Sequence, residues 1–206
     1  MFAPSLSDTL KQGIQTLGED PVAHPCETYL WYLQELSRWN KAYNLTAITD
    51  PMLMVTHHLL DSLSILPYLH GQRCLDVGTG AGLPGLILAL ARPETHWVLL
   101  DSKSKKVRFL QHILLELKPA NIEVVLSRAE DYRPAEAFST VVTRAFSSLA
   151  NIYRITAHLK VKEGHLLAMK GGNSEQELAE LTGVESKVVR LNVPGIDSDR
   201  NLIIMK

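Results

Sequence analysis

Asp76, Gly78, Gly80, Gly82 and Gly85 stand close together in LDVGTGAGLPG (75–85), overlapping the end of a short apolar run. Glycines at such a place build a tight turn whose main chain can approach a ligand closely, because no Cβ obstructs the contact or forbids positive φ. Gly80, Gly82 and Gly85 satisfy the G-x-G-x-x-G spacing used by sites for NAD, FAD and S-adenosylmethionine. The spacing is common to all three ligands, so the choice between them falls to the charged neighbours.

In an open α/β sheet, ligands lie beyond the carboxyl ends of the strands. Asp101 ends the next apolar run and can accept from both ribose hydroxyls, a contact that NAD and S-adenosylmethionine need equally. Asp76 comes just before the first glycine, where a carboxylate attracts the cationic amino-acid tail of S-adenosylmethionine and repels a pyrophosphate. After the third apolar run, the Ala129 amide can donate to an adenine ring nitrogen while Glu130 accepts from the adenine amino group. Each piece has a plainer reading, Asp76 as a turn cap and Glu130 as a solvated acid. Their joint placement at the ends of three successive strands favours S-adenosylmethionine.

Other reactive side chains point to less. Cys26 and Cys74 form no C-x-x-C pair, and Cys74 sits inside the apolar run before the glycines, which predicts buried reduced thiols. His57 and His58 are neighbours on a predicted helix and so diverge, with no acid or cysteine cluster to join them, and no metal is expected.

The elements that must hold these residues fall into two parts. Leu6, Leu10, Ile14 and Leu17 recur at helical spacing, with Ser7 as the predicted cap and Gly18 as the stop. A second helix is predicted over 27–41, with Leu30, Leu33, Leu36 and Trp39 on its apolar stripe. Asp50-Pro51 caps a third, whose face carries Met54, Leu59, Leu63 and Leu66. From Arg73 the pattern changes to short apolar runs at 74–77, 97–100, 122–126, 140–143 and 165–169, separated by stretches expected to be helical. Such alternation implies a mainly parallel sheet with helices on both faces. A further helix over 175–181 precedes runs at 187–193 and 201–205, which a loop joins and which can pair antiparallel. With 206 residues, 46% apolar and 21% charged, the chain has the composition of one globular core with an extension. A net charge of -1 excludes a uniformly basic nucleic-acid coat. The absence of a leader pattern and of a long apolar span leads to the expectation of a soluble cytoplasmic protein.

Several collinear segments carry a resemblance: WNKAYNLTAI (39–48), HHLLDSL (57–63), LDVGTGAGLPG (75–85), LLDSKSKKVRFL (99–110), SRAED (127–131), TRAF (143–146) and AMKGG (168–172). Together they resemble the bacterial 16S ribosomal RNA methyltransferase G family, also called glucose-inhibited division protein B. The resemblance implies a class I S-adenosylmethionine-dependent methyltransferase, a Rossmann-like α/β fold over 71–206 whose sheet is mainly parallel with an antiparallel final strand. It implies a helical amino-terminal cap over 1–70. It also implies 7-methylguanosine formation in 16S ribosomal RNA, with Gly78 and Leu83 in the cofactor loop, Ala129 and Glu130 at the adenosine, and Arg144 closing the site. Asp76, Gly80 and Asp101 complete the set of candidate cofactor contacts. The expected partner is 16S ribosomal RNA or the small-subunit particle, and the expected state is a monomer without metal.

The chemistry of the acceptor narrows the reaction. Methylation at a pyrimidine carbon needs a covalent nucleophile, and neither cysteine is placed for it. Exocyclic adenine amines commonly meet an Asn-Pro-Pro-Tyr loop after the fourth strand, where this chain has TRAFSS. Guanine N7 offers a lone pair and carries no proton, so no general base is required. Arg144 is the candidate to orient either the guanine or the methionine carboxylate, and Phe146 either stacks on a base or packs in the core. Lys103, Lys105, Lys106 and Arg108, then Arg144, Arg154, Lys160 and Lys162, with Arg38 and Lys41 in the cap, are candidates for an RNA-facing surface. A nicotinamide-dependent oxidoreductase and a non-catalytic RNA-binding module are the competing expectations.

Overall fold

The computed structural model describes residues 5–144, 147–172 and 175–206. Phe146, a stacking candidate, lies outside them.

Helix α1 (Leu6–Thr16) starts at Ser5, not at the expected Ser7. The Ser5 hydroxyl accepts from the Asp8 N–H at 3.1 Å while the Asp8 carboxylate accepts from the Ser5 N–H at 3.3 Å, a reciprocal cap that Ser7, already inside the first turn, cannot make. Helix α2 (Cys26–Tyr43) buries Tyr29, Tyr32, Leu33 and Leu36. The third helical run begins as α3 (Pro51–Met54), capped by the Asp50 carboxylate, which accepts from the Leu53 N–H at 2.9 Å. It widens into a π-helical segment, Val55–Leu60, and closes as α4 (Asp61–Leu63). Within the widened turn the Asp61 N–H donates to the Thr56 carbonyl, one residue farther back than an α-helix allows.

Among the described residues the sheet has seven strands in the order β3-β2-β1-β4-β5-β7-β6. Strands β1 (Arg73–Val77), β2 (His96–Asp101), β3 (Ile122–Leu126), β4 (Phe138–Arg144) and β5 (Lys160–Lys170) are parallel. Strand β7 (Asn201–Met205) runs antiparallel between β5 and β6 (Ser186–Arg190). Helices α5 (Gly85–Ala91) and α6 (Ser104–Leu117) make the first two crossovers. Helix α7 (Leu149–Thr156) joins β4 to β5, and α8 (Glu175–Ala179) precedes β6. The expected helix between β3 and β4 does not form: Arg128 to Tyr132 make one turn, and Pro134 follows in a stretch without regular secondary structure.

Two apolar clusters cover the two sheet faces. The larger unites Leu10, Ile14, Tyr32, Leu36, Leu59 and Leu60 from the amino-terminal helices with Leu86, Phe109 and Leu110 from α5 and α6. The smaller sets Leu149 and Ile152 of α7 against Leu75, Val98, Val141 and Leu166. The first cluster fixes the helical cap over the carboxyl half of the sheet, and so fixes α3 and the π segment beside the loop that follows β1.

Candidate functional site

The loop after β1 is held by main-chain contacts that its sequence prepares. The Gly78 and Thr79 N–H groups donate to the Leu100 carbonyl of β2 at 2.9 and 3.1 Å, and the Thr79 carbonyl accepts from Gly82 and Leu83 at 2.9 Å each. Beneath the loop lies Asp76, fully buried, its Oδ2 accepting from the Thr79 hydroxyl and the Gly85 N–H at 2.7 Å each. A Cβ on Gly85 would stand 2.6 Å from the Asp76 Cβ, so glycine is required for that approach. From the cap, the buried Tyr32 hydroxyl reaches the Ala81 carbonyl at 2.8 Å.

Asp101, at the end of β2, organises the outer side of the turn. Its Oδ2 accepts from the Gly80 N–H at 2.9 Å and its Oδ1 from the Lys103 N–H at 2.9 Å, with Lys106 Nζ at 3.5 Å from Oδ2. Gly80 takes φ +63°, a conformation that a side chain would strain.

These pieces border one cavity of about 540 Å³ at the carboxyl ends of β1, β2 and β4, a size suited to a nucleoside-bearing ligand. Gly78, Gly80, Leu83, Asp101, Ala129, Glu130 and Arg144, all singled out from sequence, line it. Ala129 is buried and Glu130 exposed at the rim. Asp76 does not line it. Alternation along β1 turns its carboxylate under the loop, where it orders Thr79 and Gly85.

Burial pushes the Asp76 carboxyl up to about 6, against the lowering contributed by Thr79, Gly85 and Arg144. Its folded value exceeds the ordinary 3.8, so its stabilising share is complete below 3.8 and is lost as pH rises through about 6. Asp76→Asn removes this titration. The difference in unfolding free energy, wild type minus variant, is expected to fall across that window in urea titrations at stepped pH, and a difference that stays level there contradicts the assignment.

Arg144, at the end of β4, bridges to the cap. One of its nitrogens, Nη1, donates to the His57 carbonyl at 2.9 Å and to Asp61 Oδ2 at 3.1 Å. It borders a second cavity of about 340 Å³, shared at Arg144 and His58 with the first and lined also by Asp61, Lys170, Arg200 and Asn201. Burial, with Arg144 nearby, pulls the His58 imidazole down to about 4, and its Nε2 lies 3.0 Å from the Thr46 hydroxyl. His58 is therefore neutral at pH 7. Leu45, Thr46, His58 and Asp61 are site residues that periodicity did not reveal. Their only sequence signals were WNKAYNLTAI, HHLLDSL and the five-residue step from Met54 to Leu59 that a widened turn accommodates.

The remaining candidates lie elsewhere. Cys26 and Cys74 are buried and free, and burial pushes the Cys74 thiol up to about 12; neither borders either cavity. Among the described residues no cluster of three metal-ligating side chains occurs. Lys105 Nζ caps the end of α2 through the Tyr43 carbonyl at 2.8 Å, tying α2, with exposed Arg38 and Lys41, to the start of α6, with exposed Lys103, Lys105 and Arg108; of these, Lys103 lines the larger cavity. Lys160 and Lys162 begin β5, at the opposite end of the sheet from the cavity, and do not extend that group.

The chain is similar to known proteins in sequence and in fold. The family model GidB, described as rRNA small subunit methyltransferase G, matches residues 26–203. A ribosomal RNA small subunit methyltransferase G of Methylobacillus flagellatus is 43% identical over 97% of this chain and 98% of its own. Its namesake in Yersinia enterocolitica is 49% identical over 85% of this chain and 86% of its own. Among solved structures, Aeropyrum pernix fibrillarin with natively bound S-adenosyl-L-methionine superposes with TM-score 0.54 at 17% identity, over 71% of this chain and 73% of that one. TrmN of Thermus thermophilus gives TM-score 0.56 at 16% identity, over 82% of this chain and 52% of that one. At such identities the two structures establish a shared fold.

Proposed function

Because the chain belongs to the rRNA small subunit methyltransferase G family, we propose that its larger cavity binds S-adenosylmethionine and that the accepting atom is N7 of a guanine in 16S ribosomal RNA. The observation that carries this reading is the convergence of the glycine loop, Asp101, Ala129, Glu130 and Arg144 on one cavity. The charge of the lining is mixed, Asp101 and Glu130 against Lys103, Lys106, Arg128 and Arg144, so the choice of S-adenosylmethionine over a dinucleotide rests on the family, and the bare glycine main chain suits a nucleoside in either case. In this reading Asp101 meets the ribose, and Glu130 with the Ala129 amide meets the adenine.

The bound donor supplies a methyl group: the N7 lone pair forms the new C–N bond as the C–S bond breaks, its electron pair goes to sulfur, and the positive charge passes to the guanine. No proton leaves, so the protein's task is alignment and exclusion of water. Mass spectrometry of small-subunit RNA from cells lacking the protein tests reaction and substrate together. One 7-methylguanosine is expected to disappear and to return with the wild-type chain, and an unchanged profile rejects the reading.

The α2–α6 edge is the surface proposed to track RNA phosphates. Lys41→Glu with Arg108→Glu is expected to weaken RNA binding while S-adenosylmethionine affinity holds, and to flatten the plot of log affinity against log salt by roughly one unit per lost contact. Filter-binding titrations at several salt concentrations measure this. An unaltered slope excludes these side chains from the interface.

A further inference from the structure

We propose that the smaller cavity is the acceptor-base subsite and that Asp61, positioned beside Arg144, selects guanine by its Watson–Crick edge; this rests on the proposed N7 chemistry. The cavity adjoins the larger one at Arg144 and His58, the two side chains common to both, so a base held in it can present one edge across the junction. Asp61 borders only the smaller cavity and is 4% exposed. Its Oδ2 is taken by Arg144 Nη1 at 3.1 Å. Among the described residues its Oδ1 accepts no hydrogen bond: Arg200 Nε, 3.4 Å away, forms an ion pair without hydrogen-bond geometry. A buried carboxylate oxygen with no donor costs free energy, and a ligand that supplies one recovers it.

The order of groups fits guanine. Around the purine from N7, guanine presents O6, an acceptor, then N1–H and the 2-amino group, both donors. With N7 at the junction, O6 falls to the Arg144 guanidinium and N1–H with the 2-amino group falls to Asp61 Oδ1. Adenine reverses the first two groups, setting an amino group against Arg144 and a bare N1 against the carboxylate. The pair therefore repels the wrong purine as well as attracting the right one. The π segment makes this possible by carrying His57, whose carbonyl anchors Arg144, directly ahead of Asp61.

The test uses small-subunit particles rebuilt with RNA carrying guanosine, inosine or 7-deazaguanosine at the accepting position. Inosine keeps N7 and lacks the 2-amino donor; the wild-type enzyme is expected to methylate it roughly 10-fold less efficiently, the size of one unmade bond to a buried acceptor. In Asp61→Asn, Arg144 holds the amide oxygen and turns the NH₂ into the cavity, so guanosine methylation is expected to fall and the guanosine-to-inosine ratio to approach one. An unchanged ratio in the variant overturns the proposal. If the variant does not fold, full-rate methylation of inosine by the wild type overturns it equally, and a 10-fold deficit supports it. The 7-deazaguanosine particle reports on the underlying reading alone: methyl acceptance there removes the N7 chemistry, whatever the inosine ratio.

Discussion

Asp101→Ala is expected to weaken S-adenosylmethionine binding roughly 100-fold, because two backbone donors lose their carboxylate and each unsatisfied group costs about 1–3 kcal/mol. Gly80 and Lys103 would both be released, and Gly80, free as a glycine to take other conformations, loses the bond that selects φ +63°. The ribose contact proposed for the same carboxylate would vanish with them. Lys106 loses its partner too, but it is partly exposed and can turn to water, so its share is small. Asp101→Asn retains one acceptor and is expected to fall between alanine and wild type. Calorimetric titration with S-adenosylmethionine measures the series; alanine binding within twofold of wild type would show that the turn keeps its shape without the acid.

What the sequence disclosed of this arrangement follows from which forces act locally. Strands β3 and β7 coincide with their apolar runs, and β1, β2 and β4 differ from theirs by one or two residues at an end. Burial is nearly continuous along β1, β2, β4 and β7, where hydrophobicity marks it, whereas the edge strand β3 is only partly buried and is marked by its β-branched Ile122, Val124 and Val125. Strand β5 begins five residues early, at Lys160, which pairs with Phe138 of β4 ahead of a register shift that leaves Val161, Lys162 and Glu163 exposed and so without an apolar signal. The helix expected between β3 and β4 is missing because a residue before proline is pushed out of the helical region, and Pro134 falls mid-connection. Glycine spacing and strand-end acids located the larger cavity because the fold puts all such positions on one edge. Asp76 shows the limit of that logic, since alternation along β1 sends its carboxylate beneath the loop and away from the ligand side. The smaller cavity was illegible for another reason: it lies between a π segment, Arg144 and β7, and only tertiary packing brings Arg144 and Arg200 to His58 and Asp61.

That packing concentrates consequences at Arg144. Arg144→Ala is expected to lower kcat/KM for ribosomal RNA by roughly 100- to 1,000-fold, since cutting one partner from a buried ion pair costs about 3–5 kcal/mol, part of which falls on the reaction. Arg144 and His58 border both cavities, and the Arg144 guanidinium also holds the His57 carbonyl of the π segment and the Asp61 carboxylate. Its removal leaves Asp61 facing Arg200 alone, across 3.4 Å and without a hydrogen bond. Arg144→Lys restores charge but not the planar fork, so it is expected to recover stability more than turnover. Steady-state kinetics beside thermal melts separate the two effects. If Arg144 merely tied the cap to the sheet, lysine would rescue turnover and melting temperature in parallel; if it aligns the accepting base against the methyl donor, kcat stays depressed in a lysine variant that melts as the wild type does.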